Sequence, residues 1–307
     1  MTGAPMACGA DTVIAQEKAV VKDGFLIVSS PLFKGTHVRY RGEELKEGKV
    51  ALPAGAVIHP GTVGFLASMG IHRLRVYRLP KVSLVATGSE LVAAGKKLAL
   101  GKIYDSNSPM IQAALEEMGL RPVLVQKLMD DPKTIEKVIA FTLKESDFVI
   151  LTGGVSTGDY DFVKKALENL GVETILWKVS QKPGKPLYAG KKKKTLVFGL
   201  PGNPASVFTC FYEYVYPALR KSMGYPNPYL RSHRMKLGET VLADPDKTLF
   251  MKAKTGLDHI VTPLKHQQSH MLSSLCEADC LLMIPPLKEQ AEPVVHSLPY
   301  ALDTCVP

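Results

Sequence analysis

Cysteine is scarce in this sequence and tryptophan almost missing: five cysteines and one tryptophan in 307 residues. Cys8, Cys210, Cys276, Cys280 and Cys305 are scattered and odd in number, which argues against a disulfide framework and fits a reducing cytoplasmic setting. Cys276 and Cys280 stand four apart without a second ligand pair beside them, which disfavours a structural zinc site. No stretch approaches the ~20 apolar residues that cross a bilayer, so no membrane helix is expected. The first residues lack the basic start and apolar run of a secretory signal. There is no CxxC, no His-Glu-x-x-His, no Gly-x-Ser-x-Gly elbow, no P-loop and no dinucleotide fingerprint. Acidic residues also fall short, 29 against 38 basic ones, for a net charge of +9. Four of those charges are one lysine run at 191–194, which lies between apolar segments and reads as a solvated hairpin tip; without it the excess is +5. With no aromatic interleaving, RNA-binding signature or zinc-finger spacing, the excess points to an anionic small ligand and not to nucleic acid.

What is present is ordinary for a globular protein: 46% apolar and 22% charged residues, which excludes general disorder. The length suits two or three domains at ~100–200 residues each. Residues 1–79 read as a β-rich domain, with short apolar runs at 12–14, 25–28, 38–40 and 50–52 between Gly, Pro and charged turns. One helix is expected over 60–69, with Pro60 in its first turn and Gly70 ending it. Residues 80–224 alternate strand-like and helix-like runs. Strands are expected at 82–86, 122–128, 148–151, 174–179 and 195–200. Helices are expected from Ser108-Pro109 (Ser108 as N-cap), from Asp131-Pro132, over 161–170, and from Asn203-Pro204 to about Met223. This pattern predicts an α/β domain with a doubly wound, mainly parallel sheet. Residues 225–307 open on a Pro/Tyr-rich linker and read as a small β-domain.

In an open parallel sheet, ligands bind beyond the carboxyl ends of the strands. Three turns fall there: Thr87-Gly88-Ser89-Glu90, the segment from Thr152 through Gly153, Gly154 and Ser156 to Asp161, and Pro201-Gly202-Asn203-Pro204-Ala205-Ser206. Each is rich in Gly, Ser or Thr, which allows close backbone approach and hydrogen bonds to an anion at a helix N-terminus. Three on one edge point to a phosphate-bearing ligand. Glu90, Asp130 and Asp161 stand at the same edge. Carboxylates beside a phosphate cradle call for a hard cation, magnesium being the usual one; the alternative is that Asp130 and Asp131 cap a helix and Glu90 is surface. Lys178, Lys182 and Lys185 form a second cluster around Lys182-Pro183-Gly184-Lys185-Pro186. Lys178 and Lys182 share a face if the strand continues; the alternative is a solvated basic hairpin. His266 and His270 read as polar loop histidines.

Six motifs occur in order: Thr87-Gly88-Ser89-Glu90, Ile103-Tyr104-Asp105-Ser106-Asn107, Asp130-Asp131-Pro132, Gly153-Gly154-Val155-Ser156-x-Gly158-x-x-Asp161, Lys182-Pro183-Gly184-Lys185-Pro186 and Leu200-Pro201-Gly202-Asn203-Pro204. Together they resemble the molybdopterin molybdenumtransferases, the MoeA and gephyrin E-domain family, over nearly the whole chain. The resemblance implies an enzyme of molybdenum cofactor biosynthesis that inserts molybdate into adenylylated molybdopterin, releases AMP and needs magnesium. It implies a molybdopterin-binding domain at 80–224, a small β-barrel at 225–307, and a homodimer with the site between subunits. On this reading Asp161, Lys178, Lys182, Glu90 and Asp130 are catalytic, and Glu90, Asp130 and Asp161 hold magnesium. Thr87, Gly88, Ser89, Gly153, Gly154, Ser156, Lys185, Pro201, Gly202, Asn203, Pro204 and Ser269 bind the cofactor substrate. The sequence departs from the family's pattern in three ways. Met1-Thr2-Gly3-Ala4-Pro5 resembles an internal segment, so roughly a hundred preceding residues, with an Asp-Gly-Tyr-Ala motif, are expected to be missing. Glu44 stands where the pattern can carry Asp, and Lys252 where Arg can occur, which forfeits a bidentate fork. Two other readings use the same motifs: an adenylyltransferase or nucleotide-amide hydrolase on the same domain, and a non-catalytic scaffold or molybdopterin-binding protein that keeps the fold.

Overall fold

The computed structural model describes residues 3–154, 162–256, 258–289 and 291–303. The chain divides into two compact units, Met1–His72 and Arg73–Pro307.

In the first unit β1 (Ala19–Lys22) and β2 (Phe25–Val28) form a hairpin in which Lys22 pairs with Phe25. Asp23 and Gly24 both have positive φ, 53° and 80°, the two-residue turn whose twist matches the strands it joins. The runs at 12–14, 38–40 and 50–52 are irregular, contrary to the sequence pattern. Three apolar residues make a strand only where a partner lies in register, and only the Asp-Gly turn supplies one locally. Helix α1 (Pro60–Ser68) begins on its proline and is closed at Met69-Gly70.

The second unit holds β3 (Val82–Thr87), β4 (Leu91–Val92), β5 (Ile103–Tyr104), α2 (Asn107–Glu117), β6 (Leu124–Leu128), α3 (Pro132–Glu145), β7 (Phe148–Thr152), α4 (Phe162–Asn169), β8 (Glu173–Trp177), β9 (Gln181–Lys182), β10 (Tyr188–Lys192), β11 (Thr195–Leu200), α5 (Pro204–Cys210) and α6 (Tyr216–Ser222). The main sheet has the order β6-β3-β7-β11-β10-β8, with its first four strands parallel. β3 and β7 are buried along their whole length, as strands covered on both faces must be. Alternate side chains serve opposite faces. Leu84, Ile150 and Leu200 pack with Ile111, Leu115, Val207 and Phe211, whereas Val85, Val149 and Leu151 pack with Ile135, Ile139, Val163 and Leu167. The sheet is thus doubly wound. β10 runs antiparallel to both neighbours because the lysine run turns the chain straight back, Lys192 pairing with Thr195.

The expected long helix after Asn203 changes pitch midway. A π-helical turn, Phe211–Val215, separates α5 from α6, and Tyr216 N donates to Phe211 O, five residues back. Pro217 follows, at the second position of α6. A proline within a helix has no N–H to donate and crowds the carbonyl four residues before it, so the widened turn relieves both.

The remaining strands are β12 (Arg231–His233), β13 (Lys236–Leu237), β14 (Thr248–Thr255), β15 (Ile260–Pro263), β16 (Cys280–Ile284) and β17 (Val294–Ser297), with α7 (Ser273–Glu277) between β15 and β16. They lie in the order β12-β17-β16-β14-β15-β13 and curl into a half barrel around Ala253, Val261, Cys280, Leu282 and Val295. β9 leaves the α/β portion to pair with the start of β14, Lys182 beside Leu249.

Candidate functional site

The carboxyl ends of β3, β7 and β11 lie side by side, since Thr152 is paired with Ala86 on one flank and with Leu200 on the other. The turns that follow therefore share one edge. They border a cleft of about 530 Å³ lined by Thr87, Gly88, Glu90, Asp130, Gly153, Gly154, Pro201, Gly202, Asn203 and Ser206. Gly153 has φ +79°, and a Cβ there would run into the carbonyl oxygen of Thr87. The second turn is thereby pressed against the first. Beside Gly202 the space is open, with nothing within 4 Å of a Cβ. Asn107, at the start of α2, donates through Nδ2 to Gly202 O at 2.7 Å and ties the third turn to that helix. The helix begins one residue earlier than Ser108: Asp105 Oδ1 accepts from Ser108 N at 3.0 Å, so the aspartate does the capping assigned to the serine.

Asp130 and Asp131 have separate partners. Asp131 Oδ2 accepts from Thr134 N at 2.8 Å, and the Thr134 side chain together with this backbone bond, with Lys133 nearby, holds the Asp131 carboxyl below its usual pKa. Asp130 instead faces the cleft, its Oδ2 accepting from Ser89 N at 2.9 Å and from Ser89 Oγ at 2.8 Å. Asp161 and Ser156 lie outside the described residues. Among the described residues no three His, Cys, Asp or Glu side chains come together as a metal cage. The cleft offers a cation two carboxylates, Glu90 and Asp130. Magnesium bound to a phosphate commonly takes that many from the protein, so the residues present fit such an ion.

A second chamber of about 650 Å³ adjoins the first, sharing Pro186, Asn203 and Ser206 as common wall. Lys182, Lys185 and Lys247 line it against one carboxylate, Glu239, with Gln267, Gln268 and Ser269 from the half-barrel portion. Ser269 joins the two portions: its Oγ accepts from Asn203 Nδ2 at 3.1 Å and its carbonyl from Ala205 N at 2.9 Å. The loop that carries Ser269 is braced by Lys252, which is 4% exposed. Lys252 Nζ donates to His266 O at 2.6 Å and to Met271 O at 3.1 Å, and burial pulls its pKa down. A single ammonium satisfies two carbonyls here, where a planar fork would have to meet both in one plane.

Lys178 does not share a face with Lys182. Its φ is +69°, which ends β8 at Trp177, and its Nζ lies 4.8 Å from the Trp177 ring centre. The strand does not continue because the next pairing, by β9, is with a different sheet. Lys182 and Lys185 are the pair brought to one chamber. Glu44 belongs to the first unit, in a cleft with Arg41 and Lys46. Ser206, the last residue of the third turn as the sequence pattern placed it, lines the cleft. The pattern did not single out Lys247, Gln267 or Gln268 as lining residues; Lys247 sits in a bend with no spacing to mark it.

Known proteins resemble this chain along nearly its whole length. A family model described as "MoeA N-terminal region (domain I and II)" matches residues 1–70. One described as "Probable molybdopterin binding domain" matches 83–221, and one described as "MoeA C-terminal region (domain IV)" matches 234–293. The molybdopterin molybdenumtransferase of Staphylococcus aureus (strain N315) is 33% identical over 288 residues, covering 93% of this chain and 69% of that protein. The molybdopterin molybdenumtransferase of Haemophilus influenzae is 34% identical over 291 residues, covering 92% of this chain and 72% of its own length. Among solved structures, the molybdopterin biosynthesis MoeA protein of Pyrococcus horikoshii OT3 superposes with a TM-score of 0.75 at 29% identity, over 94% of this chain and 70% of that one.

Proposed function

This chain belongs to the MoeA family of molybdopterin molybdenumtransferases, enzymes of molybdenum cofactor biosynthesis, and on that premise we propose that it inserts molybdate into adenylylated molybdopterin with magnesium-dependent release of AMP. One observation carries the reading: a cleft of glycine and hydroxyl turns with two carboxylates adjoins a chamber lined by three lysines, and the Asn203–Ser269 hydrogen bond ties their shared wall to the half-barrel portion. The first suits a phosphate ester with its counter-ion, the second a dianion such as molybdate.

On this proposal the turns at Thr87–Glu90, Gly153-Gly154 and Pro201–Pro204 receive the phosphates through backbone amides and hydroxyls. Ser89 holds Asp130 in place, and Asp130 with Glu90 and Asp161 is the magnesium set. Magnesium, when bound, neutralises phosphate charge and stabilises the departing AMP. Lys182 and Lys185 hold molybdate and the bridging phosphate, and Ser269 orients them by its bond to the third turn. Lys178 belongs to the rim of this set. Residues 80–224 would carry the cleft and 225–307 the loop that closes it, with 1–79 as a separate domain. A homodimer is part of the proposal, supported by the apolar hairpin β1–β2, whose Val21 and Phe25 are 75% and 74% exposed. Free cysteines, two of them exposed, support a cytoplasmic setting.

The test is AMP release from adenylylated molybdopterin, measured with and without molybdate and after chelation of magnesium. Release that needs both supports the proposal. Tight binding of the adenylate with no release under any condition would replace it with the non-catalytic binding protein.

A further inference from the structure

The π-helical turn has a second peculiarity besides Pro217. Three consecutive residues on it each send a polar group to a different element. Tyr212 donates its hydroxyl to Glu117 Oε2 at the end of α2, 3.2 Å away. Glu213 Oε1 meets His296 Nδ1 on β17 at 2.9 Å. Tyr214 donates to Gln181 Oε1 on β9 at 2.5 Å. The last contact bears on the site. Gln181 is 3% exposed, and its Nε2 donates to Pro183 O at 2.9 Å, inside the Lys182-Pro183-Gly184-Lys185-Pro186 loop. Cys210, fully buried just before the π-turn, donates through Sγ to Gly184 O at 3.6 Å. The loop sits so close to this helix that a Cβ on Gly184 would lie 2.5 Å from Cys210 Sγ and 2.8 Å from Gln181 Nε2. Burial keeps both Cys210 and Tyr214 protonated, each pushed up to about 12, so each remains a donor.

We propose that the π-turn is the seat of the lysine loop, and that Gln181 and Tyr214 are positioning residues that hold Lys182 and Lys185 against the second chamber. The proposal rests on the function given above and adds residues to it. Tyr214 does not line the chamber, and Gln181 is an almost wholly buried part of its wall; in this account both act through the lysines. A π-turn is a rare element that costs regular hydrogen bonding, and its persistence here is explained by the three directions it serves. A regular helix through the same residues would rotate Tyr214 away from Gln181 and leave a buried amide oxygen unpaired, which is costly.

The experiment uses the full chain with four substitutions, Tyr214→Phe, Tyr212→Phe, Gln181→Met and Lys182→Ala, and the pair Tyr214→Phe with Lys182→Ala. Tyr214→Phe removes one hydroxyl and no volume. It should lower kcat/KM for molybdate-dependent AMP release about tenfold, the worth of one buried hydrogen bond to a polar partner. Added to Lys182→Ala it should cost clearly less than on its own, because one of the two lysines it positions is gone. Tyr212→Phe removes an equivalent hydroxyl from the same turn and should lower the unfolding temperature without changing kcat/KM. Amide hydrogen exchange across residues 184–187 reads the seat without any substrate. It should accelerate in Tyr214→Phe and not in Tyr212→Phe, and Gln181→Met should accelerate it likewise. Unchanged exchange, or a kinetic effect of Tyr214→Phe that adds in full to that of Lys182→Ala, would overturn the proposal. A wild-type chain that releases no AMP would overturn the function instead, and the exchange result would still decide the seat.

Discussion

Lys182→Ala is the substitution that most directly probes the second chamber. Lys182 stands on β9, paired with Leu249, so its backbone is fixed while its side chain is exposed in the chamber. Two unit charges ~4 Å apart attract by ~4 kcal/mol at an effective dielectric of about 20 and by ~1 kcal/mol in bulk water. An open, solvent-reached chamber lies between these limits, so removing the ammonium should cost about 2 kcal/mol of transition-state stabilisation. At 1.36 kcal/mol per tenfold this is roughly a 30-fold loss in kcat/KM for AMP release. Lys185→Ala should behave similarly. Lys193→Ala is the control: it sits at the tip of the β10–β11 hairpin, with φ 54°, and should change the rate little. Steady-state kinetics at two ionic strengths add a check, since an effect through charge shrinks as salt rises. Equal and small losses at Lys182 and Lys193 would put the loop in bulk solvent and remove its lysines from the mechanism.

Gly202→Val should abolish binding of adenylylated molybdopterin while leaving the unfolding temperature unchanged, because the space beside Gly202 is open until a ligand enters it; calorimetry showing wild-type affinity would refute the assignment of that turn. Asp161→Asn should raise the magnesium concentration needed for half-maximal AMP release without unfolding the protein, and wild-type metal dependence would take Asp161 out of the cation site. Arg78 holds the Asp147 carboxyl below its usual pKa, through bonds at 2.7 Å to each oxygen. A depressed carboxyl stabilises the fold above its unfolded pKa of about 4, and that stabilisation is lost as pH falls through the folded value. Asp147→Asn should therefore lower the unfolding temperature at pH 7, and the gap from wild type should narrow on acidification toward pH 3; a gap independent of pH would count against the ion pair.

Local chemistry in the chain was enough for the α/β portion and for one edge of the site. The runs at β3 and β7 are mostly apolar, with Ser83 the one polar residue before their closing threonines, because each strand is covered on both faces, and this burial is visible in composition alone. The glycine and hydroxyl turns after β3, β7 and β11 follow from strand direction, because parallel strands must bring their carboxyl ends to one edge. Asp131-Pro132 marks a helix start through residue types that have one favourable use. Other features depended on partners far along the chain. Whether three apolar residues at 12–14 or 38–40 form a strand depends on a neighbour in register, which no local pattern reports. Lys178 and Lys182 part company because β8 ends in the main sheet while β9 pairs with the half barrel, a choice made by Thr248 and Leu249, each 67 residues beyond its partner. Lys252 became a brace for the Ser269 loop because burial confined its ammonium to two carbonyls. The joining of Asn203 to Ser269 and of Gln181 to Tyr214 likewise required the packed molecule. Periodicity and turn chemistry act over a few residues, whereas a hydrogen bond between distant residues exists only once the layers that carry them have packed.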